Sequence, residues 1–244
     1  MIKPKYLLAI LMLFAGNCLL AQSVPSWGGG ADQKDLSFGF SFSYVSNYFK
    51  IDKSPNWRAP FFDTDGTQVT SPLKTISSPN SQGFAVGFLA RYRLTDHLET
   101  RVAPSFVFAD RTLSYTFEDP SQNTLKTVQA TTLDVPLSLK LKSDRIGDFR
   151  AYVLGGIKYS QSIGSKANID ANTAPIDKHV KNISGYASYE AGLGCDIYFE
   201  FFKLSPEIKL SNSLGNVLMH ENHPYSAPID KLSLHTLMFS LYFE

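Results

Sequence analysis

Alternation of side chains with a period of two is the feature that most limits what this chain can fold into. In Leu36–Tyr44, large apolar side chains stand at Leu36, Phe38, Phe40, Phe42 and Tyr44, with Ser37, Gly39, Ser41 and Ser43 between them. Successive residues of a strand point to opposite faces, so this segment is apolar on one side and small and polar on the other. A soluble sandwich could use such a strand once. Here the pattern recurs about eight times and charges collect on the polar face, the combination a membrane-spanning β-barrel requires. The 244 residues fit one such all-β domain.

The N-terminus supplies a route to that membrane. Lys3 and Lys5 precede the mostly apolar run Tyr6–Leu20, and Ala21 before Gln22 is a suitable cleavage point, so residues 1–21 read as a secretory signal. The run is shorter than the roughly 20 residues of a membrane helix. A lipoprotein signal through Cys18 is the alternative, disfavoured by the bulk of Asn17 before it. After cleavage Cys195 is the one cysteine left, so no internal disulfide forms. No later stretch is apolar enough for a transmembrane helix. Export, strands and no helix point to a bacterial outer membrane.

Residues 22–35, with Pro25 and Gly28–Gly30, read as a flexible periplasmic segment, and residues 36–244 as the barrel. Eight strands are expected: Leu36–Phe49, Ser81–Leu94, Leu98–Phe117, Thr124–Lys142, Phe149–Ile163, Ile183–Phe199, Phe201–Asn212 and Lys231–Phe243. Short turns fall at Thr95–His97, Ser143–Asp148 and Glu200. Long loops fall at Lys50–Asn80, Gly164–Asn182 and Gly215–Asp230, with only a few residues between the third and fourth strands. That rhythm predicts an antiparallel barrel with both termini periplasmic and the long loops at the cell surface.

With the apolar face set toward lipid, the inward face collects Arg91, Arg93, Glu99, Arg101, Arg111, Asp134, Lys140, Arg150, Lys158, Glu190, Asp196, Lys203, Glu207 and Lys209. Eight strands enclose a space that side chains just fill, and charges withdrawn from water must be paired. The expectation is a filled, salt-bridged lumen. The alternative is a polar lumen that conducts protons or a small solute.

Catalytic signals are weak, and no catalytic, cofactor or metal residue is assigned. His220, Glu221 and His223 do not have the spacing of a helical zinc motif, and with Pro224 next to them they read as a surface loop. His97 and His179 fall in a turn and a loop, and His235 falls on the lipid side near the start of the last strand. Cys195 also faces lipid, as an inert small residue. A net charge of +1 without a basic cluster argues against nucleic acid. No Gly-x-Ser-x-Gly or phosphate-loop element is present.

Three segments carry a resemblance: Val135–Lys142 with Arg150–Ser160, then Glu190–Asn212, then Asn212–Leu218 with Tyr225 and the closing Leu241–Glu244. Together they resemble the PorT family (SprT in gliding bacteria), outer-membrane barrels of Bacteroidetes needed by the type IX secretion system. The most specific stretches are Gly155–Ser160 and Phe202–Lys209. Cys195 stands where an aromatic is expected and Glu200 where proline is expected. The resemblance implies a non-enzymatic part in exporting cargo with C-terminal sorting domains, and gliding adhesins in gliding species. Its implied partners are other type IX components and the outer-membrane assembly machinery, in addition to the lipid bilayer. A generic small barrel with a structural or adhesive role is the alternative, and a lumen-based enzyme or transporter is a third.

Overall fold

Where large and small side chains alternate, the chain is extended, and it is extended for most of its length. The computed structural model describes residues 34–128, 131–163 and 174–244. The signal sequence, most of the lead-in and part of the second long loop lie outside these residues. Fourteen strands are present among the described residues: β1 (Leu36–Lys53), β2 (Leu73–Ser77), β3 (Ser81–Arg93), β4 (Leu98–Val102), β5 (Ser105–Phe108), β6 (Arg111–Phe117), β7 (Thr124–Val128), β8 (Thr131–Lys142), β9 (Phe149–Ile163), β10 (Lys181–Asn182), β11 (Gly185–Tyr198), β12 (Lys203–Ser213), β13 (Leu218–Met219) and β14 (Ile229–Phe243). No helix among them is long and apolar enough to cross a membrane.

Eight antiparallel staves close into a ring. In order they are β1, β3, the β4–β5 pair, β8, β9, β11, β12 and β14, which returns to β1. Closure is long, running from Phe40↔Phe243 to Lys53↔Ile229. The third expected strand is broken. Pro104 has no N–H for the ladder, so it separates β4 from β5, while its carbonyl still accepts from the Phe88 N–H at 2.9 Å. Gly87 makes room for this kink, since a Cβ there would sit 2.5 Å from the Pro104 oxygen.

The outside of the ring is apolar. Phe38, Phe40, Phe42 and Tyr44 of β1, Phe84, Phe88 and Tyr92 of β3, Leu137, Leu139 and Leu141 of β8, and Ile157 of β9 are exposed. A water-soluble monomer rarely shows apolar patches beyond a few hundred Å². A bilayer satisfies this surface.

At one end the staves are joined by short turns. At the other, the described parts of the loops are folded. The hairpin β6–β7 continues the β5–β8 hairpin outward, and β2 pairs along the free side of β6, with Ile76 opposite Tyr115. The strand β10 pairs with β13 and ties two further loops together. Leu73, Ile76, Leu113, Tyr115, Phe117, Val217, Leu218 and Tyr225 pack inside this cap against Phe49, Ile229 and Leu232 of the barrel strands. This corrects the reading of Lys50–Asn80 as loop throughout, since it holds the end of β1 and all of β2, and of Leu98–Phe117 as a single strand. The outer parts leave the barrel to build a second, apolar core.

Candidate functional site

The lumen is the chemically distinctive region, and strand alternation builds it. Glu99 on β4 lies 3.3 Å from Arg91, 3.2 Å from Lys140 and 2.9 Å from Lys142. Lys140 also bonds Asp196 at 2.8 Å, and Asp196 accepts from the Ser205 hydroxyl at 2.6 Å. Across the lumen Arg101, also of β4, donates to Glu207 of β12 at 2.5 Å, and the Tyr152 hydroxyl of β9 donates to the same oxygen at 3.0 Å. Lys209 is 3.7 Å from Glu207 and 3.4 Å from Glu190. Nearer the cap, Lys158 bonds Asp134 at 2.9 Å, and the Thr132 hydroxyl donates to Asp134 at 3.0 Å.

Aromatic rings fill the spaces between these ions. The Arg101 guanidinium lies 4.4 Å from the Tyr242 ring centre, and the Lys140 ammonium 3.8 Å from that of Tyr152. Gly194 leaves the room for Tyr152, because a Cβ there would be 2.6 Å from the phenol ring. A smaller apolar patch of Val45, Ala85, Val107, Ala109 and Met238 lines other staves.

Glu99, Lys140, Asp196 and Lys203 are 0% exposed, so no water-sized sphere reaches them. A wet channel would leave them in contact with solvent. Closure at the turn end comes from Glu244, whose carboxylate sits 2.5 Å from Arg91 and 3.0 Å from Lys203. Closure at the loop end comes from the apolar cap.

Of the charges expected inside, Arg91, Glu99, Arg101, Asp134, Lys140, Lys158, Glu190, Asp196, Lys203, Glu207 and Lys209 are all buried in the lumen. Arg93 and Arg150 are not part of that network. They lie at the rim, where Arg93 meets Asp35 at 2.9 Å and Arg150 donates to the carbonyls of Ser143 and Asp96. Arg111 is buried higher, at the base of the cap, and donates to the Tyr186 hydroxyl at 3.0 Å. Lys142 and Glu244 were missed, although each continues the inward parity of its strand, after Lys140 and Tyr242.

The histidines do not form a centre. Among the described residues no group of three His, Cys, Asp or Glu side chains is placed to hold a metal ion. His220 is exposed as expected, but His223 is fully buried, correcting its reading as a surface residue. Its Nδ1 accepts the Tyr225 N–H at 3.3 Å, and the Tyr225 ring packs edge-on to Tyr115. Anchoring of Tyr225 in the cap core pulls the loop inward. His235 stacks on Tyr48 on the lipid-facing side.

These features are a closed eight-stave ring, an apolar exterior and an ionic interior. The sequence also matches, over residues 21–219, the family described as the outer membrane protein beta-barrel domain. The chain belongs to that family. Among solved structures this outer-membrane barrel is similar to OprG from Pseudomonas aeruginosa, at 12% identity and a TM-score of 0.44, covering 86% of this chain and 96% of that one. It is also similar to Neisserial surface protein A, at 10% identity and a TM-score of 0.40, covering 86% and 98%. The attachment invasion locus protein Ail of Yersinia pestis is similar at 14% identity and a TM-score of 0.37, covering 86% and 99%. No curated protein matches the sequence. In single-chain bacterial outer-membrane barrels the short turns are periplasmic and the long loops extracellular. The cap therefore stands at the cell surface.

Proposed function

We propose that this barrel is a non-enzymatic accessory of the type IX protein secretion system, needed for export of cargo carrying C-terminal sorting domains and, in gliding species, of surface adhesins. Residues 1–21 serve as its cleaved export signal. The observation that supports an accessory rather than a conduit is the double closure of the lumen: Glu244 with Arg91 and Lys203 below, and the apolar cap above. A folded cargo cannot pass such a bore, so a larger translocon carries the cargo and this barrel contributes its surfaces. The secretion assignment itself rests on the resemblance of Glu190–Asn212 and its neighbouring segments to the PorT family.

Deletion of the gene tests this. The expected outcome is cargo retained in the periplasm with its sorting domain uncleaved, restored by the full-length gene. Undiminished secretion from the deletion strain overturns the proposal.

A second reading, an adhesive barrel, draws support from the ordered cap, which exposes Phe62, Leu125, Ile176 and Met219 outward. Its signature is lost surface attachment with secretion intact.

A further inference from the structure

One buried cation has no counter-charge. Elsewhere in the interior every buried cation has a carboxylate within reach. Arg101 has Glu207, Lys158 has Asp134, Lys203 has Glu244 and Lys209 has Glu190, while Arg91, Lys140 and Lys142 share Glu99. Arg111 is 5% exposed and meets no carboxylate among the described residues. Its Nη2 donates to the Tyr186 hydroxyl at 3.0 Å, and its Nε has no hydrogen-bond partner. Asp134, on the barrel wall, is already held by Lys158 and Thr132. A charge withdrawn from water without a partner is strongly destabilising.

The same pair of side chains defines what would relieve it. A phenol oxygen that accepts from a guanidinium keeps its own hydrogen for another acceptor. Tyr186 is 6% exposed, and no described residue accepts from its hydroxyl. An N–H and an O–H are therefore both open to one acceptor beside an uncompensated positive charge, and charge-assisted bonds of this kind are the strong ones. Burial sets the size of that acceptor. Tyr186 belongs to the apolar cluster that includes Leu113, Val128 and Leu234, which excludes an extended organic anion. One negative charge, a compact body and no donor of its own describe a halide.

We propose that Arg111 and Tyr186 hold a single chloride ion beneath the cap. Arg111 stands at the start of β6, where the chain leaves the barrel wall, and Tyr186 stands on β11. The ion thus ties the β6–β7 hairpin of the cap to a barrel stave. The inference holds whether or not the barrel serves secretion.

Limited proteolysis of the full chain, folded in lipid vesicles, tests it in sodium chloride against sodium gluconate at equal ionic strength. Chloride is expected to slow cutting in the long loops about tenfold at ten times its dissociation constant, as binding to the closed cap alone requires. Arg111→Met removes the charge but keeps the length, and should be cut at one rate in both salts. Tyr186→Phe should raise the chloride concentration for half-protection about two- to tenfold, the scale of one hydrogen bond. Heat-modifiable migration should stay unchanged throughout and separate a loosened cap from an unfolded barrel. Equal cutting of the unaltered chain in the two salts overturns the proposal, as does a chloride effect that survives in Arg111→Met. A chloride effect that appears only in Asp170→Asn overturns it too, since that carboxylate would then be the partner of Arg111.

Discussion

Glu99 and Leu113 are both 0% exposed, yet the first is a carboxylate among three cations and the second a leucine among apolar side chains. One chain has built two interiors of opposite chemistry. Barrel staves present their apolar side chains to lipid, so the other parity, which carries the polar residues, must fill the lumen. The cap stands in water and, although Phe62, Leu125, Ile176 and Met219 stay exposed, it buries Leu73, Ile76, Leu113, Tyr115 and Phe117. What lies outside each region decides what each must hide.

The two interiors should also fail differently. Burying paired ions gains little over well-packed apolar side chains, whereas removing one partner leaves a charge uncompensated and is severe. The largest effect is expected for Glu99→Ala, which strips Arg91, Lys140 and Lys142 of a shared carboxylate. A loss of about 3–5 kcal/mol should appear in urea unfolding from lipid vesicles. An unchanged midpoint would mean that these ions are not the structural core.

Leu232→Ala should cost about 2–5 kcal/mol through the cavity it leaves in the cap. The expected signature is protease cutting in the long loops while the barrel keeps its heat-modifiable migration. Simultaneous loss of both would show that the two interiors open as one unit.

Tyr115 gives the cap a pH limit. Burial holds its phenol well above the ordinary value, and its hydroxyl donates to the Tyr225 carbonyl at 2.7 Å. The stability of the neutral phenol is complete below its unfolded pKa of about 10, and is lost as pH rises from there through the raised folded value. Proteolysis should therefore detect cap opening only in strong alkali, with tyrosinate absorbance rising in step. Tyr115→Phe should cost about 1 kcal/mol at neutral pH and remove this group's share of the alkaline loss. Opening near pH 8 that disappears in Tyr115→Phe would contradict the sign.

The smallest effect is expected two residues from one of the largest. Arg91 is shut inside between Glu99 and Glu244, while Arg93, on the same face of β3, reaches Asp35 and Asp96 at the wet rim. Arg93→Ala should change stability by about 0–1 kcal/mol, against several for Arg91→Ala. Equal effects would erase the distinction between lumen and rim.

The lumen was legible because a period of two assigns faces without reference to distant residues. Once Phe84, Phe88 and Tyr92 are set outward, Arg91 is inward. The same rule covers Lys142 and Glu244, overlooked because each stands at the end of its strand. Depth was not legible: alternation puts Arg93 and Arg91 on one face, but not one inside and one at the rim. The cap was hidden for another reason. Leu73–Ser77 has five residues, two prolines nearby and no clear alternation, and it becomes a strand only because the edge of β6 is there to pair with it.

By itself the sequence determined the eight staves, their order, the side of each that meets lipid and the ionic character of the interior, since these follow from local alternation and short turns. Tertiary structure alone decided which charges pair, that Glu244 closes the lower end, and that His223 is buried while described parts of the long loops build an apolar core. Those outcomes depend on contacts between residues far apart in the chain, such as Arg101 with Glu207 and Tyr115 with Tyr225, and strand shear and ring closure set those contacts.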